Sequence, residues 1–228
     1  MNEKNHELKK IVIIGAGGQG KDVLWTIMDI NKISSRFDII GFLDDDKKLH
    51  GKTINRVPVL GGMNWLSNKN KMGCIIAVGD GKIREKIVKK LKNVNVYFPS
   101  IIHPSVIMSD FVTIGKGTII HAGVMIPPDS EIGNFVFINL RSQIGHDCKI
   151  KDFVSIMAGV NVTGETIIEN GAYLGSGVTV ADKIKIGEWS IIGIGSAIGK
   201  DVEPYSLYLG NPGIFIRKIK DEKSRPRL

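Results

Sequence analysis

From Ser105 to Ser206 the sequence repeats every six residues without a break. One column is aliphatic throughout: Ile114, Ile120, Ile126, Ile132, Ile138, Ile144, Ile150, Ile156, Val162, Ile168, Leu174, Val180, Ile186, Ile192 and Ile198. Four residues after each member runs a second column of small or β-branched residues, from Thr118 and Val124 to Val202, in which Ile184 is the one large side chain. Glycine often follows the aliphatic residue, as at Gly115, Gly133, Gly145, Gly175 and Gly187. An α-helix needs a period of about 3.6 and a half-buried strand a period of about 2. A period of six with a tight turn fits a parallel β-helix, in which three hexapeptides close one triangular coil and residues 18 apart stack. Nothing interrupts the repeat, so no long loop leaves the prism.

The chain before the repeat is different. Ile11–Ile14, Asp38–Leu43, Cys74–Val78 and Asn95–Phe98 read as strands, with a short extended piece over Val57–Gly62. Lys21–Asn31 and Gly81–Lys92 read as helices. Strands alternating with helices predict a parallel α/β sheet. Gly15-x-Gly17-x-x-Gly20, set between the first strand and the first helix, has the form of a dinucleotide fingerprint, whose glycines let backbone N–H groups and a helix N-terminus approach phosphate. The acid that takes ribose hydroxyls is expected at the end of the next strand, where Asp44 and Asp45 stand. The domain stops near Ile101, before a second βαβ half. It reads as half a Rossmann fold holding a mononucleotide. A tight turn for strand–helix packing is the other reading of the same glycines. The expected division is residues 1–101, a β-helix over 102–213 with His103-Pro104 leading into it, and a tail over 214–228. In that tail Phe215, Ile216 and Ile219 are expected to cap the open end of the solenoid.

The net charge is +8, but the basic residues are scattered and no nucleic-acid-reading module is present, so no nucleic-acid partner is expected. A positive field suits phosphorylated ligands. Cys148 falls in the small inward column and Cys74 in an apolar run, so both are expected in the core, with no disulfide framework or zinc spacing. Met1–Lys10 is polar and no apolar run approaches the roughly 18 residues of a membrane span. A cytoplasmic protein without a membrane partner is expected. Of the five histidines, His6 and His50 lie in polar surroundings, His103 and His121 are 18 apart and so fall on adjacent coils, and His146 precedes Asp147. A histidine is the expected general base.

The [Leu/Ile/Val]-Gly-x4 run resembles the left-handed β-helix of the hexapeptide acyltransferases. The segment Asn139–Ile150, with Ile144-Gly145-His146-Asp147-Cys148, is similar to the nucleotide-sugar acetyltransferases of the sialic-acid O-acetyltransferase and 4-amino-sugar N-acetyltransferase type. Gly15–Lys21, Gly41–Asp45, Ala77–Asp80, Ile102–Ser105 and Gly210–Gly213 match the same family, although alanine is usual where Gly213 stands. The resemblance implies a homotrimer that binds acetyl-CoA in the cleft between neighbouring prisms. It implies His146 as general base and Asp147 as the acid that orients it or raises its basicity, with Asn139 positioning the acceptor. Gly17, Gly18, Gln19, Asp44, Asp45 and Gly79 would hold the nucleotide. Ser155, where the family often has histidine, would contact acetyl-CoA. The Gly164 N–H would bind the thioester carbonyl, and Ser176 and Ile194 would give further backbone contacts to CoA. The basic residues of the tail are an alternative contact for CoA phosphates.

No metal is expected: a zinc site of the γ-class carbonic anhydrase kind needs a His-x4-His pair, and neither His121 nor His146 has a mate at that spacing. The implied activity is acetyl-CoA-dependent N-acetylation of a nucleotide-linked amino sugar by direct transfer. O-acetylation of sialic acid or a related sugar is the alternative. A non-catalytic scaffold is a third, against which the His146–Asp147 pair argues.

Overall fold

Ile11, Val12, Ile13 and Ile14 are all buried, as a strand covered on both faces requires. They belong to β1 (Lys9–Ile14) in a computed structural model that describes residues 8–67 and 69–219. The expectations for residues 1–7, including His6, and for the basic tail from Lys220 onward lie outside the described residues. After β1 come α1 (Gly18–Ile33), β2 (Phe37–Leu43), β3 (Thr53–Ile54), β4 (Val57–Gly61), a 3-10 turn (Met63–Leu66), β5 (Met72–Ile76), α2 (Gly81–Lys90) and β6 (Val96–Tyr97). The sheet order is β3-β4-β2-β1-β5-β6. Only the β3–β4 pair is antiparallel, closing a small hairpin at one edge that the sequence reading did not foresee. Ile11 and Ile13 pack with Val23, Leu24 and Ile27 of α1 on one face. Val12 and Ile14 pack with Ile87 and Leu91 on the other, beside α2.

The repeat folds as a parallel β-helix. Each coil contributes three two-residue strands, and from Ile101–Ile102 to Ala197–Ile198 strands 18 residues apart pair in parallel, for example Ile119–Ile120 with Phe137–Ile138 and Gln143–Ile144 with Asn161–Val162. Three flat sheets result. The first holds Ile119–Ile120 and Phe137–Ile138, the second Met125–Ile126 and Gln143–Ile144, and the third Glu131–Ile132 and Lys149–Ile150. The aliphatic column and the small column fill the prism as one core, including Ile120, Val124, Ile138, Cys148 and Leu174. Cys74 is buried in β5.

Two sequence expectations are corrected. The prism begins one residue ahead of the expected 102, because Ile101–Ile102 already pairs with Ile119–Ile120. The inward column therefore extends back to Ile102, and Pro104 sits in a corner where no ladder N–H is required. At the other end Ser206–Leu209 joins the first sheet and Ile214–Lys218 pairs with it antiparallel. Phe215 and Ile216 stay 47% and 43% exposed. Of the three expected capping residues only Ile219 is buried, against Ile191 and Leu207. The hairpin extends the sheet laterally and leaves the prism interior unplugged by these two side chains.

The domains share a core. The outward residues Ile101, Ile119 and Phe137 of the first sheet are buried together with Val23, Leu24 and Ile27. Two histidines complete this seam on adjacent coils, where their 18-residue spacing put them. His103 Nε2 lies 3.0 Å from Asp29 Oδ2 and His121 Nδ1 lies 2.9 Å from Thr26 Oγ1. Burial pushes the His121 pKa down to about 4, with a smaller push from His103.

The native fold thus prefers His121 neutral, while the unfolded chain protonates near pH 6.5. Stability is fully present above about pH 6.5 and falls as pH drops toward 4, by up to roughly 3 kcal/mol from this residue. Urea melts between pH 7.5 and 4.5 are expected to show that slope in the wild type and a shallower one in His121→Gln.

Candidate active site

The sheet leaves a crevice between the carboxyl ends of β1 and β5, where the chain departs to α1 on one face and α2 on the other. The glycines of the fingerprint divide their labour there. Gly15 takes a φ of +102°, which a side chain disfavours. A Cβ on Gly20 would overlap the Gly15 carbonyl and press on Phe42, so this glycine lets α1 sit close to the sheet. Gly17 and Gly18 have open space around them. Gly17 is the N-cap of α1 and gives no side-chain cap, and the first turn of α1 carries no acid. Its first N–H groups and the positive helix end therefore face a place fit for phosphate.

The two aspartates part company. Asp44 Oδ2 accepts from Ala16 N–H at 2.8 Å and Oδ1 from Asp46 N–H at 2.9 Å, so its carboxylate holds the glycine loop. Asp45 lines a cleft of about 870 Å³ with Lys47, His50, Trp65 and Lys90. The Gln19 side-chain oxygen is buried without a partner among the described residues, and its Cγ would stand 4.0 Å from a Cβ added to Gly79. A buried acceptor of this kind is a place for a ligand donor.

His146 and Asp147 lie on a different edge. The His146 Nδ1 is 2.7 Å from Asp147 Oδ2, and the side chains are 62% and 55% exposed. A carboxylate only accepts, so the hydrogen bond places the proton on Nδ1 and leaves Nε2 as a base. Asp147 has a φ of +56°, the turn that folds its carboxylate back to the ring. Nε2 lies over Gly164 on the next coil, where an added Cβ would stand 2.7 Å away. The Gly164 N–H has no acceptor among the described residues, whereas the corresponding N–H groups of Lys116, Asn134 and Asp152 on another edge are taken by the Asn134, Asp152 and Asn170 side chains.

One chain does not gather all the expected site residues. His146 and Gly164 occupy the corner between the second and third sheets. Asn139, Ser176 and Ile194 occupy the corner between the first and second, the corner of Met157, whose Cε would stand 3.7 Å from a Cβ on Gly79. Asn139 is nearly buried and its Oδ1 accepts from Leu140 N–H at 2.7 Å. Ser176 is exposed and Ile194 is 82% exposed.

The expectation for Ser155 is corrected. Ser155 is 1% exposed, and its hydroxyl donates to Gly79 O at 2.7 Å while accepting from Arg84 Nη2 at 3.0 Å. It faces the N-terminal domain and is spent there, so it offers nothing at the prism surface. Arg84 itself went unnoticed in the sequence, where it is one cation among the many of α2.

Residues 10–91 match the PglD N-terminal domain. The acetyltransferase domain of PglB from Neisseria gonorrhoeae superposes with a TM-score of 0.84 at 28% identity, covering 91% of this chain and 100% of that one. PerB from Caulobacter crescentus, solved with CoA and GDP-perosamine, superposes with a TM-score of 0.82 at 26% identity, covering 92% and 99%. The UDP-N-acetylbacillosamine N-acetyltransferase of Bacillus subtilis is 30% identical over 122 residues, 49% of this chain and 50% of that protein. The chain thus spans half the length of that curated relative.

The packing of His146 on Gly164 is testable without substrate. In Gly164→Ala the new methyl displaces an exposed imidazole, so the melting temperature is expected to stay within about 2 °C of wild type while the ring leaves its place. A crystal structure with the ring still over residue 164 would refute this. Gly145→Ala, by contrast, drives a Cβ into the backbone of Thr163 and Gly164. A loss of about 3 kcal/mol or more is expected there by denaturant titration.

Proposed function

We propose, on the premise that this chain belongs to the hexapeptide-repeat sugar acetyltransferase family, that it moves the acetyl group of acetyl-CoA onto the amino nitrogen of a nucleotide-linked 4-amino sugar. The observation that carries the reading is the His146–Asp147 pair, poised over an unclaimed backbone N–H at Gly164. PerB, crystallised with CoA and GDP-perosamine, and the bacillosamine enzyme supply the substrate class.

In this reading the diphosphate lies on the N-terminus of α1 at Gly17 and Gly18. Asp45 meets the nucleoside, while Asp44 serves by holding the loop. Gln19 and Gly79 line the path to the sugar, and Asn139 borders it. The neutral amine attacks the thioester carbon, forming the C–N bond as His146 Nε2 takes its proton. Asp147 steadies the imidazolium that results. The Gly164 N–H receives the charge developing on the carbonyl oxygen. The C–S bond then breaks, and the proton on Nε2 passes to the departing CoA sulfur. Amide and free thiol are the products, and no acyl-enzyme forms.

The site requires two edges that one prism holds apart, so a neighbouring copy completes it. His146 and Gly164 of one copy face the crevice, Ser176 and Ile194 of the next, with CoA between them. Such edge-to-edge contact is heterologous and closes as a ring, for which we assign a homotrimer. The exposed apolar residues Ile107, Met125 and Ile194 fit a surface covered in that ring.

The test is thiol release from acetyl-CoA with a panel of UDP-, dTDP- and GDP-linked 4-amino sugars. Turnover on one of them is expected, falling by about 10²- to 10⁴-fold in His146→Ala. Full activity in that variant refutes the base, and ping-pong kinetics or an isolated acetyl-enzyme refutes direct transfer. Turnover on free sialic acids alone would replace N- by O-acetylation.

A further inference from the structure

We propose that Arg84 is a positioning residue for the nucleotide loop, fixing Gly79 to the β-helix that carries the acetyl donor. The inference rests on the reading that Gly79 lies against the nucleotide. The Arg84 side chain is wholly buried between the domains. Its Nη1 donates to Val78 O at 2.8 Å and Gly79 O at 2.9 Å, both on the loop that follows β5. Its Nε donates to Phe135 O at 3.0 Å, and Nη2 to Phe153 O at 2.8 Å and Val154 O at 2.9 Å, all on the prism. Nη2 also reaches Ser155 Oγ, whose own hydrogen goes to Gly79 O at 2.7 Å. The Gly79 carbonyl is therefore held twice, once by each domain.

A merely adhesive contact does not call for this arrangement. Burying a cation costs several kcal/mol, and apolar side chains of similar volume hold a seam as well or better. What the guanidinium adds is a rigid planar fork that fixes several acceptors in one geometry. Here the acceptors are backbone carbonyls of three separate segments, and one is the carbonyl of a cradle residue. The seam is also close in the literal sense, since a Cβ on Gly81 would overlap the Phe153 carbonyl. On its other side Gly79 is open, with only Met157 Cε at 3.7 Å and Gln19 Cγ at 4.0 Å from an added Cβ. The loop is thus tied from behind and free toward the crevice.

The test compares wild type, Arg84→Lys and Ser155→Ala, each as the full chain. Calorimetric titration with UDP, dTDP and GDP reads nucleotide affinity, steady-state kinetics reads the KM for acetyl-CoA, and a thermal melt reads the fold. Ser155→Ala removes one tether on Gly79 and keeps the cation, so it remains informative should Arg84→Lys fail to fold. For the nucleotide that wild type binds, Kd is expected to rise about threefold or more in Ser155→Ala and about tenfold or more in Arg84→Lys, with the KM for acetyl-CoA changed less than twofold. Folded variants that melt lower yet bind the nucleotide like wild type overturn the inference and leave Arg84 a domain staple. Wild-type protein that binds none of the three nucleotides overturns the nucleotide reading and this inference with it.

Discussion

Parallel pairing of each coil with the next, 18 residues on, is the constraint that places everything else. Coils can stack only if every inward position tolerates a neighbour above and below of similar size, and the aliphatic column meets that demand from Ile114 to Ile198. The stacking also sets the chemistry. It puts Gly164 under the His146 ring and keeps Gly145 small, because the backbone of the next coil passes directly beneath it.

The second constraint is the seam between domains. Outward positions on the first sheet run Ile101, Ile119, Phe137, Ser155, Tyr173 and Ile191, whereas those of the third sheet run Thr113, Glu131, Lys149, Ile167 and Lys185. In the first series Ile101, Ile119 and Phe137 are buried with α1 and Ile191 with the C-terminal hairpin, whereas the third carries ion pairs at the surface, as in Lys149–Glu131 and Lys185–Glu169. Burial of an apolar face against α1 supplies adhesion. The directional part comes from polar groups set into it: Thr26–His121, Asp29–His103 and the fork of Arg84. The Arg84 guanidinium takes backbone carbonyls of both domains, Gly79 on one side and Phe135, Phe153 and Val154 on the other.

Much of the site was legible where a residue's role depends on its immediate neighbours. Gly15 takes a positive φ and Gly20 sits where a Cβ would meet the Gly15 carbonyl, both within the strand-to-helix turn that the glycine spacing marked, and Asp147 bonds the histidine beside it. Roles that depend on a distant surface were not legible. Nothing local distinguishes Ser155 from the outward residues of the other two sheets, such as Gln143 and Lys149, which are exposed. Only the docking of the N-terminal domain turns its hydroxyl to Gly79. Asp44 and Asp45 look equivalent in the chain, but the glycine loop bends back onto one of them and leaves the other in the cleft.

The sequence by itself determined the β-helix, its three-sided section and the identity of its inward columns, because a period of six admits one stacking and burial enforces it at every coil. It also determined the strand–glycine–helix turn that opens the N-terminal sheet, since that geometry is local. Where the prism begins, which of its faces is covered, what Arg84 holds and how His146 and the glycine-loop crevice fall on separate edges were decided by the tertiary structure. Those features depend on which surfaces meet across contacts many residues apart, and a pattern with a fixed short period carries no information about its partners.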